Sequence, residues 1–460
     1  MTVARSRIFL TKSQKLTKNS GRLCRLGFTT ADSFTDNPAG IFIQNALHME
    51  WQISNATLVE AGAVRKTAGL HISDGTIIDE LEAGEELADL LNVNLHGMPV
   101  FPGWINGHDS LLASFHVFKG RQHPYRNWLA WDNELKSSDL FKRRMLLDTR
   151  DLYLLGAYRN LLSGVTLAVD HIPHFVRDPF VSELPISILP DFGISHSICS
   201  YSLDWGEGPR REYERAAGND LPYITHIAEG FDSESIHSLR QLDAQGGLGE
   251  YTVLVHGLAL SEHDLDRIAE AQASVVWCPA SNQYIYGRTT PIAAMLQRGI
   301  NVCLGSDAAM YGSESLLTDI RAACAYLNEQ NVIESVTDTV LAMITENARR
   351  AFRLSENRHS LRAGSIADLT VVRPPESPVD TDTILNQIGW KDIYLVVRNG
   401  IPVFGDVELE KLFTTMGVSV ERIFVEGTER IVATGLRGLL ERVNDALGEN
   451  AGFSFLPVNP

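Results

Sequence analysis

At 460 residues the chain has room for one large domain and a smaller one. Its composition, 44% hydrophobic and 21% charged, is that of an ordinary globular protein and excludes wholesale disorder. Fifty-seven acidic residues against 40 basic ones give a formal charge of -17, which disfavours nucleic acid and anionic membranes as partners, and no apolar run is long enough to span a bilayer, so a small-molecule partner is expected.

Residues 1–38 read as an N-terminal extension. They carry Arg5, Arg7, Lys12, Lys15, Lys18, Arg22 and Arg25 with no acid before Asp32, and lack the apolar run of a secretory signal. From Ile41 to about Leu95 come short β segments broken by turns, with Asp74-Gly75 marking a hairpin. The same texture returns in "LRAGSIADLTVVRPP" and "IYLVVRNGIPVFGD", where Asn399-Gly400 is the turn. Residues 39–98 and 360–410 are therefore expected to build one β-sandwich from both flanks of an inserted domain.

That inserted domain, residues 99–359, alternates buried strands with amphipathic helices in the manner of a (β/α)₈ TIM-type barrel. The strands are "MPVFPGWING", "GVTLAVDHI", "PISILPDF", "PYITHIAE", "YTVLVHGL", "ASVVWCP" and "INVCLGSD"; "DTRDLYLLGAYRNLLSG", "EHDLDRIAEAQ" and "LTDIRAACAYLNEQ" are the clearest helices. Between His171 and His226 lie too few residues for three full βα units, so a strand or helix there is expected to be reduced and the barrel distorted. Residues 411–460 are read as a C-terminal helical extension that packs on the barrel or on a second subunit, which leaves a homo-oligomer open. The five scattered cysteines, with no paired spacing, favour a reducing, cytoplasmic setting.

His108, His226, His256 and Asp307 each close a separate apolar strand. In a barrel those strand ends share one face, so the four converge. Two imidazoles and a carboxylate suit one divalent metal ion, zinc first and iron second, with coordination positions left for a water of lowered pKa. A lone strand-end histidine more often fills a structural role, and the pattern alone leaves both readings open.

"PGWINGHDS", "THIAEG", "LVHGLAL", "WCPASNQYIYGRTTPIAAMLQRGINVCLGSDAAMYG" and "LRAGSIADLTVV" resemble, in order and spacing, the amidohydrolase superfamily, in the branch of cytosine deaminase and the triazine and guanine hydrolases. The resemblance implies a metal-activated water attacking a C–N bond, by deamination or by amide or amidine hydrolysis, in a small cyclic or aromatic nitrogen compound. It implies His108, His226 and Asp307 as metal ligands and Asp307 as the base. Glu229 would carry a proton to the substrate nitrogen, and His256 would polarise the water or steady an oxyanion.

The family's first motif is a His-x-His pair, and here its second position is Ser110, a poor ligand. His171 and His174, at the end of the second strand, are candidates to fill the vacancy or to contact substrate; Asp109 is expected to face the other side of its strand. Trp277 stands where relatives carry histidine or asparagine and is expected, with Asn282, to contact substrate. Two rival readings accompany the hydrolase: a degenerate, metal-free barrel serving as a binding or scaffold protein, and a metal-free hydrolase working through Asp307 and a histidine.

Overall fold

The computed structural model describes residues 49–374 and 381–459; the expected basic extension lies outside them. Eight parallel strands form the centre of the chain: β1 (Trp104–Asp109), β2 (Val165–Asp170), β3 (Ser187–Ile188), β4 (Gly193–Ser197), β5 (Tyr223–Ile227), β6 (Thr252–His256), β7 (Ser274–Trp277) and β8 (Val302–Leu304). They pair as a three-stranded sheet, β1-β2-β3, and a five-stranded one, β8-β7-β6-β5-β4. β1 meets β8 at their carboxyl ends through a parallel bridge between Asp109 and Asp307, where Asp307 N donates to His108 O at 2.9 Å and Ser110 N donates to Asp307 O at 2.7 Å. Every residue of β1, β2, β6 and β7 is buried, which explains the apolar runs of β2, β6 and β7. Ile105, Val169, Ile224, Val253, Val255 and Val276 cluster among them.

The flanking helices start where the sequence says they should. Asp148 caps Thr149–Leu162, and Ser261 with Asp264 forms a reciprocal capping box on Glu262–Glu270. The expected reduction between the second and fifth strands takes a definite form. β3 is two residues long, the helix before it spans only His174–Arg177, and the chain passes from β3 to β4 with no helix at all. β4, in "GISHS", has no counterpart among the strands expected from sequence.

Strands from both flanks hydrogen-bond into one eleven-stranded sheet. Its seam is Pro99–Pro102 beside Leu369–Val372, antiparallel, with Val100 opposite Val371. "MPVFPGWING" is thus two elements: Pro99–Pro102 belongs to this sheet and only Trp104–Asp109 to the central one. Both predicted hairpins form, with Asp74-Gly75 and Asn399-Gly400 at positive φ, as tight primed turns require. The tail also departs from expectation. Val420–Val425 and Thr428–Ala433 form a hairpin that extends the sheet alongside Ile401–Asp406, because their alternating apolar residues flank a Gly427 turn. The tail's helix, Leu436–Leu447, docks on Thr149–Leu162 of the same chain, with Arg442 Nη2 2.7 Å from Asp151 Oδ1.

Candidate metal centre

The four strand-end residues do converge. Nitrogens of His108, His226 and His256 lie within 4.8 Å of one another, and Asp307 Oδ1 is 3.7 Å from His108 Nε2. His108, His256 and Asp307 are buried and His226 nearly so. His256 and Asp307 adopt left-handed backbone, at φ 74° and 59°, as does Ala228 between His226 and Glu229 at 48°. Such strain in non-glycine residues concentrates at functional sites. Gly305 permits the seam: a methyl group there would come within 2.8 Å of the nitrogen and Cβ of His108.

Hydrogen bonds fix which nitrogens carry lone pairs. His226 Nδ1 sits 2.6 Å from the carbonyl oxygen of His196, which only accepts, so Nδ1 donates and Nε2 keeps a lone pair in the neutral ring. The Thr290 hydroxyl donates to His256 O at 2.5 Å, so its oxygen accepts from Asn282 Nδ2 at 3.1 Å. That turns Asn282 Oδ1 toward His256 Nδ1, 2.9 Å away, and leaves His256 Nε2 with the lone pair. Burial above all, reinforced by the neighbouring imidazoles, holds His108 well below the usual histidine pKa; burial also pushes His226 down to about 4, against the pull of Glu229. His226 Nε2 and His108 Nε2 stand 3.4 Å apart, the separation of two nitrogens each about 2.0–2.1 Å from a common tetrahedral ion. His108 Nδ1 and both ring nitrogens of His171 are buried without a hydrogen-bond partner. Neutral imidazoles with converging lone pairs and a buried carboxylate form a donor set that fits a divalent ion.

Two carboxyl groups face this cluster. Burial raises Asp307 to about 7, with His256 opposing, and raises Glu229 as well. Glu229 accepts from Tyr286 OH at 2.7 Å and lies 3.7 Å from His256 Nε2. Asn282 and Tyr286, four apart on helix Pro279–Tyr286, share one face, so a single helical turn holds both His256 and Glu229.

The remaining expected residues are dispersed. Asn282 is committed to His256 and Thr290. Trp277 is fully buried, its Nε1 donating to Thr289 Oγ1 at 2.6 Å. His174 lies against Phe192, 3.3 Å from Asp191 and away from the cluster. His171 is in it, its ring centre 4.7 Å from that of His226 and 5.8 Å from that of His108. Asp109 turns away as expected, and its partner is Arg159: both are fully buried, with Nη2 2.5 Å from Oδ1. Asn160 and Asn106 also donate to that carboxylate, at 2.6 and 3.0 Å. Sequence reasoning missed His196, whose carbonyl sets the His226 tautomer and whose ring lies 4.6 Å from Trp128 and 4.7 Å from Trp205. Its signal was a further strand-end histidine, in "GISHS".

A family model described as the amidohydrolase family matches residues 216–423. The 5-methylthioadenosine/S-adenosylhomocysteine deaminase of Pyrococcus furiosus is 35% identical over 373 residues, covering 68% of this chain and 84% of the relative. Among solved structures, a zinc-bound adenosine deaminase from Xanthomonas campestris aligns with a TM-score of 0.67 at 16% identity, over 86% of this chain and 97% of its own. The zinc complex of atrazine chlorohydrolase from Arthrobacter aurescens gives 0.66 at 17% identity, over 86% and 99%. These structural likenesses establish the TIM-barrel class of fold. The chain belongs to the amidohydrolase family. It is a hydrolytic enzyme of carbon–nitrogen bonds, and the scaffold reading falls away.

Proposed function

We propose that the protein deaminates an aminated purine or a similar nitrogen heterocycle, with adenosine-like nucleosides as the first substrates to test. The supporting observation is the meeting of His108, His226, His256, Glu229 and Asp307 at the carboxyl ends of four strands, His226 and Glu229 sharing one, together with the deaminases among its relatives. Closure of the eight strands into one (β/α)₈ barrel, a sandwich-like folding of the eleven-stranded sheet and a cytoplasmic location belong to the same reading.

His108, His226 and Asp307 would hold the metal, zinc in preference to iron. A bound divalent ion supplies a Lewis acid that makes a water nucleophilic at neutral pH. Asp307 takes the proton of the attacking water. Glu229, held by Tyr286, delivers a proton to the departing nitrogen. His256, fixed by Asn282, presents Nε2 beside Glu229 and steadies charge developing on the attacked carbon's oxygen. Separate groups are needed because the water must lose a proton while the leaving nitrogen gains one.

The test is ammonia release from a panel of adenosine, 5′-deoxyadenosine, 5-methylthioadenosine, guanine and aminotriazines by zinc-reconstituted protein. Turnover of at least one, lost on chelation, is expected. A zinc-loaded protein inert on the whole panel would refute the proposal, and turnover untouched by chelator would favour the metal-free acid–base reading.

A further inference from the structure

We infer that His171 is a metal ligand that has taken the place of the imidazole absent at position 110; the inference rests on the metal-dependent reading of this site. β1 and β2 are paired with Asp109 opposite Asp170, so the next register positions, Ser110 and His171, lie side by side. The His171 amide donates to Asp109 O at 3.4 Å, and Leu111 N donates to Asp170 Oδ1 at 3.1 Å, which ties the end of β1 to the end of β2. A donor lost from one strand is thus supplied from the adjacent position of its neighbour.

The ring geometry agrees. Two imidazoles about 2.0–2.1 Å from one tetrahedral ion have their centres about 5 Å apart. His171 stands 4.7 Å from His226 and 5.8 Å from His108, while the His108–His226 pair itself stands at 5.1 Å. His171 is 5% exposed, and neither ring nitrogen has a hydrogen-bond partner. The carbonyls of Ile224 and Ser195 lie near enough to favour an N–H on this ring, though neither makes a hydrogen bond with it. The donor atoms that already meet within 4.8 Å are those of His108, His226 and His256, so ligation by His171 requires its ring to turn. One nitrogen is then held by such a carbonyl and the other presented to the ion, the usual arrangement of a metal-bound histidine. His256 has other work, with Nδ1 on Asn282 and Nε2 facing Glu229. His171 thus has both nitrogens uncommitted, and His108 has one, its other nitrogen facing His226 Nε2 at 3.4 Å.

The experiment titrates metal-stripped full-length protein with zinc against a chromophoric chelator, comparing wild type, His171→Ala, Ser110→His and the double variant, with cobalt absorption spectra recorded in parallel. His171→Ala is expected to weaken zinc about 100-fold and to alter the cobalt spectrum. Ser110→His should change wild-type affinity less than about threefold yet restore at least about tenfold in the His171→Ala background. Zinc binding by His171→Ala within about threefold of wild type would overturn the inference and leave the metal-dependent reading standing. Failure of wild type to bind zinc would overturn both. Should His171→Ala not fold, zinc-soaked wild-type crystals decide: a His171 ring nitrogen about 2.0–2.2 Å from the ion supports the assignment, and one beyond coordinating distance refutes it.

Discussion

Replacing Arg159 with leucine removes the counter-charge of Asp109, the residue between His108 and Ser110. Both partners are fully buried, and Asn106 and Asn160 would be left as the donors to an unneutralised carboxylate. Removing one member of such a pair costs about 3–5 kcal/mol. Unfolding entropy of about 2 cal/mol/K per residue makes that a fall in Tm of roughly 3–6 °C for a protein of this size. Burial already raises the Asp109 pKa against the pull of Arg159, so the carboxyl escapes the penalty by protonating as pH falls. Calorimetry of the metal-stripped protein should therefore show a deficit for Arg159→Leu that is large at pH 8 and shrinks toward pH 5. Adding Asp109→Asn should recover at least half of it at pH 8, because no buried charge remains. A single variant within about 1 °C of wild type at pH 8, or a double variant less stable than the single, would refute the argument.

Asp307→Asn should lower kcat by at least about 1000-fold with an unchanged circular dichroism spectrum, since it keeps the shape and loses the base; near-wild-type turnover would remove Asp307 from that role. Asp319, which accepts from Ser313 Oγ and from Ala280 N at 3.0 Å, is raised by burial from 3.8 to about 7. The folded state thus keeps a proton that the unfolded chain releases. This contribution is complete below about pH 4 and fades as pH rises through 7, by up to about 4 kcal/mol. Asp319→Asn should lack that part of the decline between pH 4 and 7, and parallel wild-type and variant stability curves from pH 4 to 8 would contradict it. Gly305→Ala should force β8 from β1 and lower zinc occupancy at equal protein concentration; full occupancy with unchanged Tm would show that the contact with His108 relaxes freely.

The ends of β1, β5, β6 and β8 were legible because each is an apolar run stopped by a polar side chain, and a parallel sheet gathers such ends on one face. The Asp-Gly and Asn-Gly hairpins were legible because their backbone needs positive φ. β4 was not, since Pro190 and a two-residue β3 compress two strands into a stretch that reads as one. Asp109 could be seen to face away from the site, but not to face Arg159, because a pairing across 50 residues leaves no periodic trace. The work of Asn282 was hidden likewise: its chain from Thr290 through the amide to His256 exists only once a helix and a loop are placed against β6. The tail hairpin was overlooked in favour of the stronger amphipathic signal of Leu436–Leu447.

The seam at Val100 and Val371 joins segments about 270 residues apart. On a ribosome adding about 5–20 residues per second, the amino-terminal hairpins wait tens of seconds for their partner strand. Until it arrives Pro99–Pro102 is an open apolar edge, the kind of surface that recruits stray strands. Production of the protein is therefore expected to depend on chaperone supply and translation speed more than its finished stability suggests, and slower growth at low temperature should raise the soluble yield.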